Sequence, residues 1–292
     1  MFFRIFNRSI VLGLVALLLA LPLTSHAGGV LPDSLDYSFK LYSGQAAFDT
    51  PMPVAFDETT YWATSGGGTS SPMQQYDALT GDVLSQDVPG IDFRSTFVDA
   101  GGTIYASGYN DNQIYQLVAP GKLTSVLTLL DVLPESQAPV ILSPDGTQYA
   151  SRIGNTINLW SAVDGGWQSA LTLADYGSVS GEDSMGTGQT DLNLAAFGSY
   201  YLTYLEGSDM VYAWDSKGNR VGDLQLRNNA SASAYSFSYS NGYIFTNDSG
   251  QYRGFALSSG SSLSSSAAAP EPGTLALGVL GLIGLALRRR RK

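Results

Sequence analysis

Between residues 33 and 260 the chain alternates apolar and polar positions in short runs broken by Gly, Asp, Asn and Pro, the pattern of half-buried strands joined by tight turns. The runs recur. Tyr61, Tyr105, Tyr149, Tyr201 and Tyr243 form one column, separated by 44, 44, 52 and 42 residues. The text beginning at each is alike: Tyr-Trp-Ala-Thr, Tyr-Ala-Ser-Gly, Tyr-Ala-Ser-Arg, Tyr-Leu-Thr-Tyr and Tyr-Ile-Phe-Thr. A second aromatic column follows ten to fifteen residues later at Tyr76, Tyr115, Trp160, Trp214 and Phe255. Four to six residues beyond each of these comes a Gly: Gly81, Gly121, Gly165, Gly218 and Gly260. Strands that end so regularly in Gly-bearing turns predict antiparallel hairpins.

Each unit reads as four strands. In the third they are predicted at 139–143, 148–152, 157–162 and 167–173, with Ser143-Pro144-Asp145-Gly146 and Val163-Asp164-Gly165-Gly166 as the bends. Four strands in about 44 residues, repeated, is the period of a β-propeller blade. The text Leu142-Ser143-Pro144-Asp145-Gly146-Thr147 resembles the SPDG turn of several bacterial propeller families. Tyr76-Asp77-Ala78-Leu79-Thr80-Gly81 resembles the D-x-x-TG turn of others, and neither singles out one family. The fifth unit runs into serines after Phe255, while segment 36–42 is strand-like and has no blade of its own. Pairing the two predicts an all-β, five-bladed propeller of four-stranded blades, closed by its N-terminal strand; closure removes free sheet edges. A six-bladed ring with one degenerate blade and a β-sandwich are the alternatives. The aromatic columns read as packing between blades rather than as a sugar-binding platform.

Both ends read as address labels. Arg4 and Arg8 flank a basic start, residues 10–21 are uncharged and apolar, Pro22 breaks the run, and Ser25-His26-Ala27 puts small residues where signal peptidase reads. The expectation is a signal helix over 1–27, cleaved after Ala27, because twelve apolar residues span only about 18 Å of a roughly 30 Å hydrocarbon layer. At the other end stand Pro270-Glu271-Pro272-Gly273, an apolar stretch over 274–287, and the cluster Arg288, Arg289, Arg290, Arg291 and Lys292. The prolines keep the motif extended, as a protease requires. The apolar stretch inserts transiently in a membrane, and the basic cluster is retained in the cytoplasm. These parts in this order resemble the PEP-CTERM sorting signal of Gram-negative bacteria. The resemblance implies cutting by an exosortase at or near Pro270, Glu271 and Pro272, delivery to the cell surface, outer membrane or matrix, and an organism that makes extracellular polysaccharide. Residues 258–269, rich in Ser and Ala, read as a flexible linker. The expected organisation is therefore signal peptide 1–27, propeller 28–257, linker 258–269 and sorting signal 270–292.

Charge and composition narrow the chemistry. The whole chain carries a formal −10, but without the two tags eight Lys and Arg face 24 Asp and Glu, a formal −16. That excess argues against nucleic acid as a partner. There is no Cys, and the one His, His26, falls in the signal segment. A Ser-His-Asp triad, a Cys nucleophile and an ordinary zinc site are thereby excluded from the middle. The 52-residue interval marks an insertion between the third and fourth units whose carboxylates, Asp175, Glu182, Asp183 and Asp191, are weak candidates for oxygen ligation of Ca²⁺. No cofactor is otherwise expected. Tyr109-Asn110-Asp111-Asn112 and Asp215-Ser216-Lys217-Gly218-Asn219 read as turns. The expected function is a non-enzymatic binding or structural propeller that meets polysaccharide or another surface protein, after handling by signal peptidase and exosortase. A carbohydrate lyase or hydrolase and a Ca²⁺ or cofactor binder are the alternatives.

Overall fold

A computed structural model describes residues 30–41, 50–176, 191–229 and 232–257. The expected signal segment with Ala27, the candidates Glu182 and Asp183, the expected linker, Pro270-Glu271-Pro272 and the terminal basic cluster lie outside the described residues. No helix among the described residues is long and apolar enough to cross a membrane.

The chain enters through β1 (Ser34–Leu35) and β2 (Tyr37–Leu41) and then builds blades from the inside outwards. Blade one is β3 (Thr50–Phe56), β4 (Thr60–Gly66), β5 (Met73–Asp77) and β6 (Val83–Asp87). Blade two is β7 (Phe93–Val98), β8 (Ile104–Gly108), β9 (Gln113–Ala119) and β10 (Lys122–Thr128). Blade three is β11 (Val140–Leu142), β12 (Gln148–Ile153), β13 (Thr156–Ser161) and β14 (Trp167–Thr172), each end falling within one residue of the predicted span. Blade four is β15 (Ala195–Phe197), β16 (Tyr200–Leu205), β17 (Met210–Trp214) and β18 (Arg220–Leu226). Blade five is β19 (Ala232–Ser240), β20 (Tyr243–Asp248) and β21 (Gln251–Ala256), with β2 as its outer strand.

The predicted closure is therefore present. β2 runs antiparallel to β21, with Leu41 opposite Tyr252 and Tyr37 opposite Phe255. One element falls outside the predicted scheme: β1 adds to the outer edge of blade four, parallel to β18, with Ser34 opposite Gln225 and Leu35 opposite Leu226. Two residues carry no readable alternation, so the pattern could not announce them. The entering chain thus pairs with blade four before it completes blade five, and Leu31, 5% exposed, joins the core between those two blades.

The core is distributed around the ring. Five apolar clusters lie one between each pair of neighbouring blades, and the cluster of Leu41, Tyr252, Phe245, Val54, Tyr61 and Tyr76 joins blade five to blade one. The aromatic columns supply much of it, as expected. Tyr61 pairs across the strands with Tyr76, Tyr149 with Trp160, and Tyr201 with Trp214, all six buried. In blades two and five the columns slip by one register position, so that Ala106 faces Tyr115 and Ile244 faces Phe255.

The repeated Gly has a specific task. In blade three, Gly165 has φ 74°, and a Cβ there would lie 2.0 Å from the carbonyl oxygen of Thr128 on the outer strand of blade two. Gly81 meets Lys40 of blade five in the same way at 2.0 Å. The contact that joins consecutive blades is thus repeated across the closure, and only a residue without a side chain fits it.

Candidate functional site

The five inner strands β3, β7, β11, β15 and β19 surround the axis, each hydrogen-bonded to a neighbour on one side only. Where they run out towards their first turns they enclose a cavity of about 370 Å³ to which all five contribute. Its wall is mainly apolar, with Val54, Phe56, Phe97, Ile141, Leu194 and Ala195 among the lining side chains. Polar groups sit among them: Ser238, Ser240 and Asn241 from blade five, Asp99 from blade two, and Ser143 and Asp145 from the Ser-Pro-Asp-Gly turn. No Lys or Arg among the described residues lines it.

The rim carboxylates are engaged in holding their own turns. Asp99 accepts the backbone N–H groups of Gly101 and Thr103 at 2.9 Å each, and the Tyr105 hydroxyl at 3.1 Å. Asp145 accepts the Ser143 hydroxyl at 2.6 Å and the Thr147 N–H at 3.1 Å, and these bonds hold its carboxyl below the usual carboxylate range. Asn241 donates to the Tyr61 hydroxyl at 2.7 Å. Ser240 differs: only 5% exposed, its hydroxyl has no hydrogen-bond partner among the described residues.

Strand pairing determines what else faces the axis. Residues of an antiparallel pair alternate between those bonded across the ladder and those whose N–H and C=O point the other way. The N–H of Asp57 donates to Thr60, that of Asp99 to Thr103 and that of Ser143 to Gln148, which fixes the bonded positions of β3, β7 and β11. The two-residue turns Gly198-Ser199 and Asn241-Gly242 fix those of β15 and β19; Asn241 and Gly242 have φ 50° and 78°, the type I′ geometry of a tight hairpin. The remaining positions are Phe56, Val98, Leu142, Ala196 and Tyr239, one per blade, and all five line the cavity. One step inward along β3, the N–H of Val54 points the same way and is met by the Ser238 hydroxyl at 2.9 Å. Sequence reasoning missed this ring because backbone groups carry no residue identity; only register reveals them.

Of the four acidic candidates of the insertion, Asp175 and Asp191 lie among the described residues. Asp175 is exposed at one end of it, and Asp191, at the other, is 6% exposed and accepts the Tyr176 hydroxyl at 2.9 Å. Beside them lies Arg152, 1% exposed, which donates to the carbonyls of Asn193 at 2.8 Å and Gly154 at 2.9 Å and stacks 4.9 Å from the Tyr176 ring. Asp191 thus interacts with a guanidinium, and Arg152 ties together the two ends of the insertion. Among the described residues no group of three or more His, Cys, Asp or Glu is placed to hold a metal ion.

The PEP-CTERM protein-sorting motif matches residues 268–291 of the chain. No curated protein matches it. Among solved structures, the crystal structure of Myxococcus xanthus glutaminyl cyclase resembles it with a TM-score of 0.54 and 10% identity, covering 76% of this chain and 97% of that one. At that identity the likeness shows the fold alone. It nevertheless corrects one expectation. The absence of Cys and of any His besides His26 suggested a chain without enzymatic activity, yet a similar fold carries an enzyme, so that inference does not hold. The fold neither assigns nor denies an activity here. The chain is a five-bladed β-propeller that carries a PEP-CTERM protein-sorting motif at residues 268–291, the mark of an exported exosortase substrate sorted to the cell surface.

Proposed function

We propose that the protein works outside the cell as a ligand-binding propeller of the surface or extracellular matrix, and that its axial cavity holds a component of the exopolysaccharide. In this reading signal peptidase removes residues 1–27 after Ala27. An exosortase then cuts at or near Pro270, Glu271 and Pro272, releasing the apolar stretch and the basic cluster. The observation that carries the binding role is the cavity itself, about 370 Å³ and lined by all five inner strands. That volume falls within the range of small-molecule sites, and an apolar wall with a few placed polar groups is their usual make-up. Net negative charge suits a soluble protein in a hydrated matrix and argues for uncharged rather than acidic partners.

The test uses protein recovered from cells that make the sorting protease. Its co-sedimentation with isolated matrix polysaccharide should be saturable. Ala196→Trp, which enlarges a side chain of the cavity wall where blade four meets blade three, should abolish it while leaving the thermal melt cooperative. Saturable binding unchanged in that folded variant would overturn the reading.

A further inference from the structure

We infer that the axial cavity reads a neutral, hydroxyl-rich ring, a sugar residue, chiefly through the main chain; this rests on the axial site proposed above. Three observations combine. First, the inner edges at Phe56, Val98, Leu142, Ala196 and Tyr239 present an N–H and a C=O each, and no backbone partner among the described residues meets them on the axial side. Backbone groups left without water or a partner are costly, so a ligand that fills the cavity has to offer both acceptors and donors around its perimeter. Second, the buried Ser240 hydroxyl lines the same space without a partner among the described residues and adds a further group of the same kind. Third, the remaining surface is apolar, including Phe56, Phe97 and Ile141, and matches the C–H faces of a ring.

Other ligand classes fit less well. An acidic sugar or a phosphate would enter a site with Asp99 and Asp145 at its rim and no lining cation among the described residues. A purely apolar ligand would leave the five edges unpaired. A hydroxyl, which both donates and accepts, suits a ring of alternating backbone donors and acceptors.

The edges can be tested one at a time. The N–H of Ala196 points to the axis, so Ala196→Pro deletes an axial donor without breaking the ladder to β16, and Pro is tolerated on edge strands for that reason. β3, another inner strand, already carries Pro51 and Pro53. Protein recovered from cells is titrated calorimetrically with neutral hexoses and their oligomers, with the corresponding uronic acids, and with a cycloalkane alcohol of similar size. Neutral sugars should bind most tightly, and Ala196→Pro should weaken them about fivefold to tenfold, the loss of one hydrogen bond. If Ala196→Pro melts without cooperativity, Val98→Pro takes the same reading from blade two. Tighter binding of the uronic acids or the cycloalkane alcohol would overturn the inference yet leave the axial site standing. Neutral-sugar affinity unchanged in a folded Pro variant would overturn the main-chain reading. Binding of every probe unaffected by Ala196→Trp would overturn the axial site itself.

Discussion

The hydroxyl of Ser238 accepts the backbone N–H of Val54 at 2.9 Å, across 184 positions of sequence. The bond joins the inner strand of the last blade to that of the first, and it satisfies a buried donor that β3 turns towards the axis. Ser240, two residues on and in the same cavity wall, has a hydroxyl with no partner among the described residues. The two serines should therefore respond differently to the same truncation. Ser238→Ala should lower stability by about 1–3 kcal/mol, because it strands the Val54 N–H. Ser240→Ala should change it by less than about 0.5 kcal/mol. Urea unfolding of the two variants measures both.

The blade-to-blade contact of the repeated Gly makes a second contrast. Gly165 and Gly146 share a positive φ, 74° and 71°, but a Cβ at Gly165 would strike the Thr128 carbonyl, whereas one at Gly146 meets open space. Gly146→Ala should cost only the left-handed conformation, about 1–2 kcal/mol. Gly165→Ala has to move the outer strand of blade two as well and should cost at least about twice as much. A drop in melting temperature of similar size in both variants would count against the packing explanation.

Stability should have a broad plateau with two edges in pH. The carboxyl of Asp145 is held low by the Ser143 hydroxyl and the Thr147 N–H, and that of Asp215 by the Asn219 side chain and backbone. A depressed folded pKa contributes stability that is present above the unfolded value, about 4, and is lost as pH falls through the folded one. At the other edge, burial pushes Tyr61 and Tyr149 up to about 12. A raised pKa contributes stability that is full below the unfolded value, about 10, and disappears as pH climbs towards the folded one. The described residues contain no His or Cys to titrate in between. Melting temperature against pH should be flat from about 5 to 9 and fall on both sides; a step at about pH 6.5 would contradict this assignment.

Arg152 should matter more than any surface charge. Its guanidinium is fully buried, where desolvation lowers its pKa against the opposing pull of Tyr176 and Asp191. Arg152→Ala removes the buried donor to the carbonyls of Asn193 and Gly154 and the cation that interacts with Asp191, at an expected cost of about 3–5 kcal/mol. Arg220→Ala, which removes a half-exposed pair with Asp223, should cost under about 1 kcal/mol. Chemical denaturation of the two variants separates them.

What could be read in advance follows from what a side chain reports. Tyr149 and Trp160 have counterparts in every unit because each interface between blades needs a large apolar plug, so the columns disclosed strands, period and blade count. Segment 36–42 was visible as the missing outer strand because its aromatic and aliphatic residues had nowhere else to go. β1 was invisible, since Ser34 and Leu35 are held mainly by backbone bonds from Gln225 to Asp33 and from Arg227 to Leu35. The axial ring was invisible for the same reason: Ala196 and Val98 contribute N–H and C=O groups, which every non-proline residue possesses. Arg152 stood in the text as one more cation, and only packing shows that it ties the insertion's two ends together.

The most direct test of the axial site is a crystal structure of the protein recovered from cells, soaked with a neutral oligosaccharide of its own matrix. Density for one sugar residue should fill the cavity, with its hydroxyls against the inner edges of Phe56, Val98, Leu142, Ala196 and Tyr239. An empty cavity with the sugar bound on the outer strands or the insertion would contradict it.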